Sequence, residues 1–159
     1  MATYVLLIQL TKNQTVTVGA RGEIFLAQGC YLYVGSARKH WEKRVGRHCQ
    51  KNKKKRWHID YILGADGASV REVWISEQNR ECRTNLALLK IPGVDIPAPR
   101  IGSSDCRCPA HFLVTGEGFS PLRKKLKNGP FHPVLLADIY QQPQQTPSAS
   151  TEKTARSAG

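Results

Sequence analysis

The stretch GCYLYVGSARKHWEKRVGRH, residues 29–48, decides the fold. Its first half alternates tyrosine with aliphatic residues, the two-residue period of a strand. Its second half is basic and reads as a helix over 37–50, with Ser36 in place to cap it. The twenty positions hold two tyrosines, three glycines and seven basic side chains, five of them Lys or Arg and two His. On the helix His40, Arg44, Arg47 and His48 recur at i, i+4, i+7 and i+8 and share one face. Trp41 and Val45 occupy an adjoining face that can pack inward, and Gly46 weakens the helix by up to ~1 kcal/mol relative to alanine. A strand that delivers tyrosines beside a row of cations is either a polyanion-binding unit or half of a site that cuts polyanions.

Upstream, residues 3–10 form a β-rich run, TKNQ a turn, and 15–20 a second short strand of alternating Val and Thr. Residues 23–35 supply one or two more strands, so the N-terminal third reads as antiparallel hairpins. Downstream, 51–56 is a basic loop, 57–63 resumes apolar order, 70–76 is a strand and 79–90 a helix. On that helix Cys82, Leu86 and Leu89 fill a buried stripe, leaving Glu81 and Asn85 together on another. After a Pro-rich connector, a strand is expected at 111–115, a short basic helix at 119–128 and a last ordered segment at 132–140. From Gln141 onward Gln, Pro, Ser, Thr and Ala dominate, the composition of a disordered tail. The expected organisation is one α+β domain, 1–140, with a tail at 141–159.

The 159-residue chain is 40% hydrophobic, enough for a core, and has a formal net charge of +12. Ten of the 24 Lys and Arg lie between Arg38 and Arg56, where Glu42 is the one acid. A solvated face mixes signs, so this block reads as a phosphate-binding surface and nucleic acid is the expected partner. Apolar runs fall short of the ~20 residues a membrane-spanning helix needs. The N-terminal run reads as a strand rather than a leader, so the expected location is cytoplasmic and the five cysteines are expected as reduced thiols. Oligomeric state is not legible.

Cleaving a phosphodiester takes an activated water, charge stabilisation at the phosphate and help for the leaving group. Mg²⁺ held by a carboxylate can supply part of this, and a guanidinium can donate two hydrogen bonds to a phosphate. The chain offers Tyr33 at the end of the strand, with Tyr31 on the same face, Arg44 between His40 and His48, and Glu81 on a separate helix. Each also has a plain structural reading. The tyrosines can be sheet aromatics, His48 can favour the helix C-terminus, and Glu77 rivals Glu81. In WHIDY, His58 lies near Tyr61 if the segment is helical and shares a face with Asp60 if it is extended.

YVGSA at 33–37, followed by Arg44 and His48, resembles the second half of the GIY-YIG nuclease signature. ATY at 2–4 stands in the place of the first half, with Ala2 and Thr3 where that signature has glycine and isoleucine. The resemblance extends to WHIDY at 57–61, REC at 80–82 and GSSDCRCPAHF at 102–112, a set similar to a small prokaryotic branch of GIY-YIG-like proteins catalogued as a domain of unknown function. It implies a small antiparallel sheet flanked by helices, here with an inserted β-hairpin near the N-terminus. It implies a metal-dependent endonuclease that hydrolyses DNA phosphodiester bonds in repair or processing. The alternative is a non-catalytic nucleic-acid-binding module on the same fold. The implied catalytic set is Tyr4, Tyr33, Arg44, His48 and Glu81. Glu81 would hold Mg²⁺ (or Mn²⁺), Tyr4 or Tyr33 would position or deprotonate water, Arg44 would bind the scissile phosphate and His48 would assist proton transfer or bind phosphate. Gly35, Ser36, Arg38, Lys39, Arg47, Lys53, Lys54, Lys55, Arg56, His58, Ser103 and Ser104 would contact nucleic acid, Gly35 by letting the backbone approach.

DCRCPAH adds Cys106, Cys108 and His111, three soft ligands within six positions, with Cys82 or Asp105 to complete four. The spacing is not that of paired zinc knuckles and no second ligand pair is evident. Reduced thiols are therefore expected there, and zinc is not.

Overall fold

A strand with both faces apolar can only lie between two cores, and residues Tyr4–Leu10 are such a run. In the computed structural model, which describes residues 1–140, β1 (Ala2–Leu10) is buried almost throughout. It is followed by β2 (Gln14–Thr17), β3 (Glu23–Leu26), β4 (Gly29–Ala37), α1 (Trp41–His48), α2 (His58–Leu63) and β5 (Ala68–Ser76). Then come α3 (Glu81–Leu89), β6 (Val94–Asp95), β7 (Phe112–Thr115), α4 (Ser120–Lys127), β8 (His132–Val134) and α5 (Leu136–Tyr140). The six-stranded sheet runs β6-β7-β4-β1-β5-β8, and every neighbouring pair is antiparallel. The fold is α+β, as the sequence pattern implies, and the expected N-terminal insertion is the separate β2–β3 hairpin. The tail expected at 141–159 lies outside the described residues.

Alternation along β1 divides the core. Tyr4, Leu6, Ile8 and Leu10 point to one side, with Tyr31 and Tyr33 of β4, Val45 of α1 and Ile59 and Ile62 of α2. Val5 and Leu7 point to the other, with Leu32, Val34, Leu88 of α3 and Leu122 and Leu126 of α4. Each fully buried aliphatic side chain contributes roughly 1.5–3 kcal/mol, so a one-residue slip of β1 would exchange two well-filled faces and is excluded energetically. Opposite Leu7 and Ile8, β5 carries a bulge: Leu7 faces Glu72 while Ile8 faces Val70, leaving Arg71 as the extra residue.

Two expectations need correcting. Ser36 does not cap a helix. The β1–β4 ladder continues to Ala2 opposite Ala37, so the strand runs on past the YVGSA motif, and the helix starts at Trp41 after His40 in the left-handed region at φ 53°. On α3 the buried residues are Thr84, Asn85 and Leu88, while Leu86 is exposed. Polar Thr84 and Asn85 are inside and partly paired: Asn85 Nδ2 donates to Ala110 O at 2.6 Å and Arg80 Nε donates to Thr84 Oγ1 at 3.4 Å, while Asn85 Oδ1 has no hydrogen-bond partner.

Candidate active-site cleft and thiol–imidazole cluster

The antiparallel register places Tyr4 opposite Gly35 and Leu6 opposite Tyr33, so the two tyrosines are diagonal neighbours on one face of the sheet. Their ring centroids are 6.4 Å apart. Above them opens a cleft of about 250 Å³. Tyr4, Tyr33, Ser36, Arg44, Arg56, Trp57 and His58 line one part of it; Glu81, Gly102, Ser104, Asp105, Cys106 and His111 complete it. Four of the five expected catalytic residues therefore share one opening. The fifth, His48, is buried behind Tyr4, with the Tyr4 hydroxyl 2.8 Å from its Nε2.

Burial sets the resting protonation of these groups. Desolvation holds Tyr4 well above the ordinary phenol value, Tyr33 and Glu81 push the same way, and the Arg44 guanidinium pulls against them. Tyr33 is raised by burial and by Glu81, against Arg44. His48 is pushed down to about 3, first by burial and then by Lys53. Both phenols thus rest protonated and His48 rests neutral, so His48 is neither a phosphate-binding imidazolium nor a charged helix cap. Its Nδ1 has no hydrogen-bond partner and lies 4.0 Å from Asp60 Oδ1, too far for a bond. The nearby carboxylate favours the proton on Nδ1, which leaves Nε2 to accept from Tyr4.

Trp57, the residue before α2, is a platform for cations. The guanidinium carbons of Arg44, Arg47 and Arg56 lie 4.8, 4.6 and 5.4 Å from its ring centroid. Arg44 Nη1 also donates to Ser36 O at 3.0 Å, which fixes it at the cleft. Arg47 is turned the other way: it grips the fully buried Asp60 with two hydrogen bonds of 2.9 and 3.0 Å. Asp60 also accepts from the backbone N–H groups of Arg56 and Trp57 at the start of α2. Burial works to raise the Asp60 carboxyl, but the Arg47 fork and these amides hold it below the usual value. WHIDY is therefore helical, Asp60 partners Arg47 rather than His58, and His58 Nδ1 accepts from the Gly102 N–H at 3.3 Å.

The other expected contact residues divide by placement. Ser36, Arg56, His58 and Ser104 line the cleft. Arg38, Lys39, Lys54 and Lys55 are exposed, and Lys55 lies over the Tyr61 ring. Arg38 and Lys39 line a separate depression with Glu77, which removes Glu77 as a rival to Glu81. Lys53 ties down the end of α1 instead, donating to Arg47 O, His48 O and Gln50 O at 3.2, 2.9 and 2.9 Å. Burial, the largest influence on it, brings its ammonium down to about 8. Ser103 is buried with its Oγ unpartnered. Gly35 has its side-chain space taken by Tyr4: a Cβ there would sit 2.5 Å from the Tyr4 Cζ and hydroxyl. The absence of a side chain at Gly35 admits that ring.

The expected metal chemistry is overturned. Magnesium or manganese was the expected ion and zinc was not, yet the one group of three or more metal-ligand side chains among the described residues is soft. Cys82, Cys106, Cys108 and His111 bring their ligand atoms within 4.8 Å of one another. Such a set suits zinc rather than a hard, oxygen-seeking ion. The sequence spacing misled because Cys82, on α3, arrives from 24 positions before Cys106, so the site is made by the tertiary fold. In the thiol form Cys82 is pushed up to about 12 by burial and by its sulfur neighbours. Glu81, the residue beside Cys82, has its side chain 30% exposed at the cleft with Oε2 3.6 Å from His111 Nδ1.

Trp57, Asp60 and Gly102 also went unrecognised as parts of the site. Gly102, at φ +77°, passes so close to Tyr33 that a Cβ would lie 2.8 Å from the ring. Among the described residues no helix is long and apolar enough to cross a membrane. A family model described as "Domain of unknown function DUF123" matches residues 3–128. No curated protein and no solved structure matches the chain.

Proposed function

Because the chain belongs to the family of the domain of unknown function DUF123, a membership that fixes no reaction, we propose from its cleft that it is an endonuclease of GIY-YIG type, hydrolysing DNA phosphodiester bonds. The observation that carries this reading is the meeting of Tyr4, Tyr33, Arg44 and Glu81, from four elements of the fold, at one opening. Arg44 is the phosphate-binding group: its fork is held at the cleft by Ser36 and stacked on Trp57. Tyr4 is the water-positioning group. Its hydroxyl lies 2.8 Å from His48 Nε2 and rests protonated, so it orients the attacking water by hydrogen bonding rather than by taking its proton. Glu81 supplies a carboxylate at the same opening, an acceptor able to orient the attacking water. Of the three guanidiniums about Trp57, Arg47 is neutralised by Asp60, while Arg44 and Arg56 line the cleft and repel one another, a repulsion a bound polyanion would relieve.

A second reading is favoured by the resting states of the phenols, both held protonated by burial: a module on this fold that binds nucleic acid without cutting it. Nicking of supercoiled plasmid by wild type, Arg44→Ala and Glu81→Gln separates the two. The nuclease reading expects nicking by wild type alone. Binding in all three without nicking supports the module, and equal nicking in all three places the activity elsewhere.

A further inference from the structure

We propose that Cys82, Cys106, Cys108 and His111 bind one zinc ion as a closed structural site that fastens the start of α3, and with it Glu81, to the 101–111 loop of the cleft. This inference is independent of the nuclease reading. An ideal tetrahedral Cys3His zinc site separates sulfur from sulfur by about 3.8 Å and sulfur from nitrogen by about 3.6 Å. Here Cys106 Sγ lies 3.5 Å and Cys82 Sγ 3.9 Å from His111 Nε2. All four ligand atoms fall within 4.8 Å, so closure about an ion takes shifts of a few tenths of an ångström to about one.

The imidazole is prepared for this role. His111 Nδ1 lies 3.2 Å from Val34 O, the distance at which an N–H donates to a carbonyl, and 3.6 Å from Glu81 Oε2. These acceptors place the proton on Nδ1 and leave the Nε2 lone pair aimed at the sulfurs, the usual arrangement around a zinc-bound histidine. The loop is clamped around its ligands as well. Arg100 Nη1 donates to Cys108 O at 2.6 Å, His111 N to Ile101 O at 2.8 Å, and Asn85 Nδ2 to Ala110 O at 2.6 Å. Four protein ligands leave no open position, so the ion is structural rather than catalytic. It is still felt at the cleft, because Cys106 and His111 line it and Glu81 touches His111.

The test is metal content of the full chain, purified without chelator from zinc-supplemented cells, followed by X-ray absorption at the zinc edge. The expected result is one zinc per chain with three sulfur ligands and one nitrogen. Cys82→Ser and Cys108→Ser should lose stoichiometric zinc, whereas Cys30→Ser, outside the cluster, and Arg44→Ala, which tests cleavage, should keep it. If the cluster variants do not fold, wild type carries the test alone: cobalt in place of zinc should give thiolate-to-metal charge-transfer absorption. Wild type with well under one zinc after reconstitution, a coordination shell without sulfur, or full zinc retained in Cys82→Ser would overturn the proposal.

Discussion

The Tyr4 hydroxyl and the His48 Nε2, 44 residues apart in the chain, lie 2.8 Å from each other and join the central strand to the basic helix. His48 is buried and neutral, its folded value lowered to about 3 by desolvation. Its unfolded value is ~6.5, so the unfolded state binds the extra proton first and stability falls as pH drops below that point. Between pH 7 and pH 5 the loss should be about 2 kcal/mol. Urea unfolding across that range should show it in wild type and show much less in His48→Gln. The depressed Asp60 carboxyl has the same sign, but its window opens below ~4 and does not overlap.

Gly35→Ala should destabilise by about 1–3 kcal/mol, because the new methyl overlaps the Tyr4 ring. The penalty should shrink sharply in a Tyr4→Ala background, where the space is vacated. A double-mutant cycle from thermal melts measures that coupling directly.

Arg47→Ala leaves the Asp60 carboxylate, with 0% of its side chain exposed, without its guanidinium partner. The expected cost is about 3–5 kcal/mol. Arg47→Lys should recover only part of it, since an ammonium cannot reproduce the two parallel bonds to Oδ1 and Oδ2. Denaturant midpoints for the two variants check this.

The basic loop should separate into structural and binding cations. Lys53→Ala removes three hydrogen bonds to carbonyls at the end of α1 and should lower the melting temperature. Lys54→Ala with Lys55→Ala, both exposed, should leave melting unchanged and weaken DNA binding. The slope of log affinity against log salt should flatten by about 0.9 for each phosphate that the variant no longer neutralises. Salt titrations by fluorescence anisotropy give both numbers.

The fold was readable where side-chain period and burial agree. The apolar run of β1 and the alternating tyrosines of β4 signal strands, and their register brings Tyr4 to Tyr33. The cleft residues Arg44 and Glu81 were legible through the motif resemblance, since nothing local in the chain reports that α1 and α3 meet the same opening. Trp57 had no role assigned from sequence because its use depends on three arginines arriving from two segments. The partner of Asp60 stayed open because a choice between strand and helix changes which neighbour it faces, and Arg47, its partner in the fold, lies in another element. The thiol cluster was misjudged because Cys82 stood only as one of two candidates for the fourth ligand, and a spacing rule cannot tell that it folds back onto Cys106 and Cys108.

The central claim is that Arg44, Tyr4 and Glu81 act on one phosphodiester. Single-turnover cleavage of an end-labelled DNA duplex, with binding measured in parallel, tests it most directly for wild type, Arg44→Ala, Tyr4→Phe and Glu81→Gln. The predicted result is strand scission by wild type and at least ~100-fold slower scission in each variant at saturating enzyme. Undiminished scission in the variants, or tight DNA binding by wild type without scission, would contradict it.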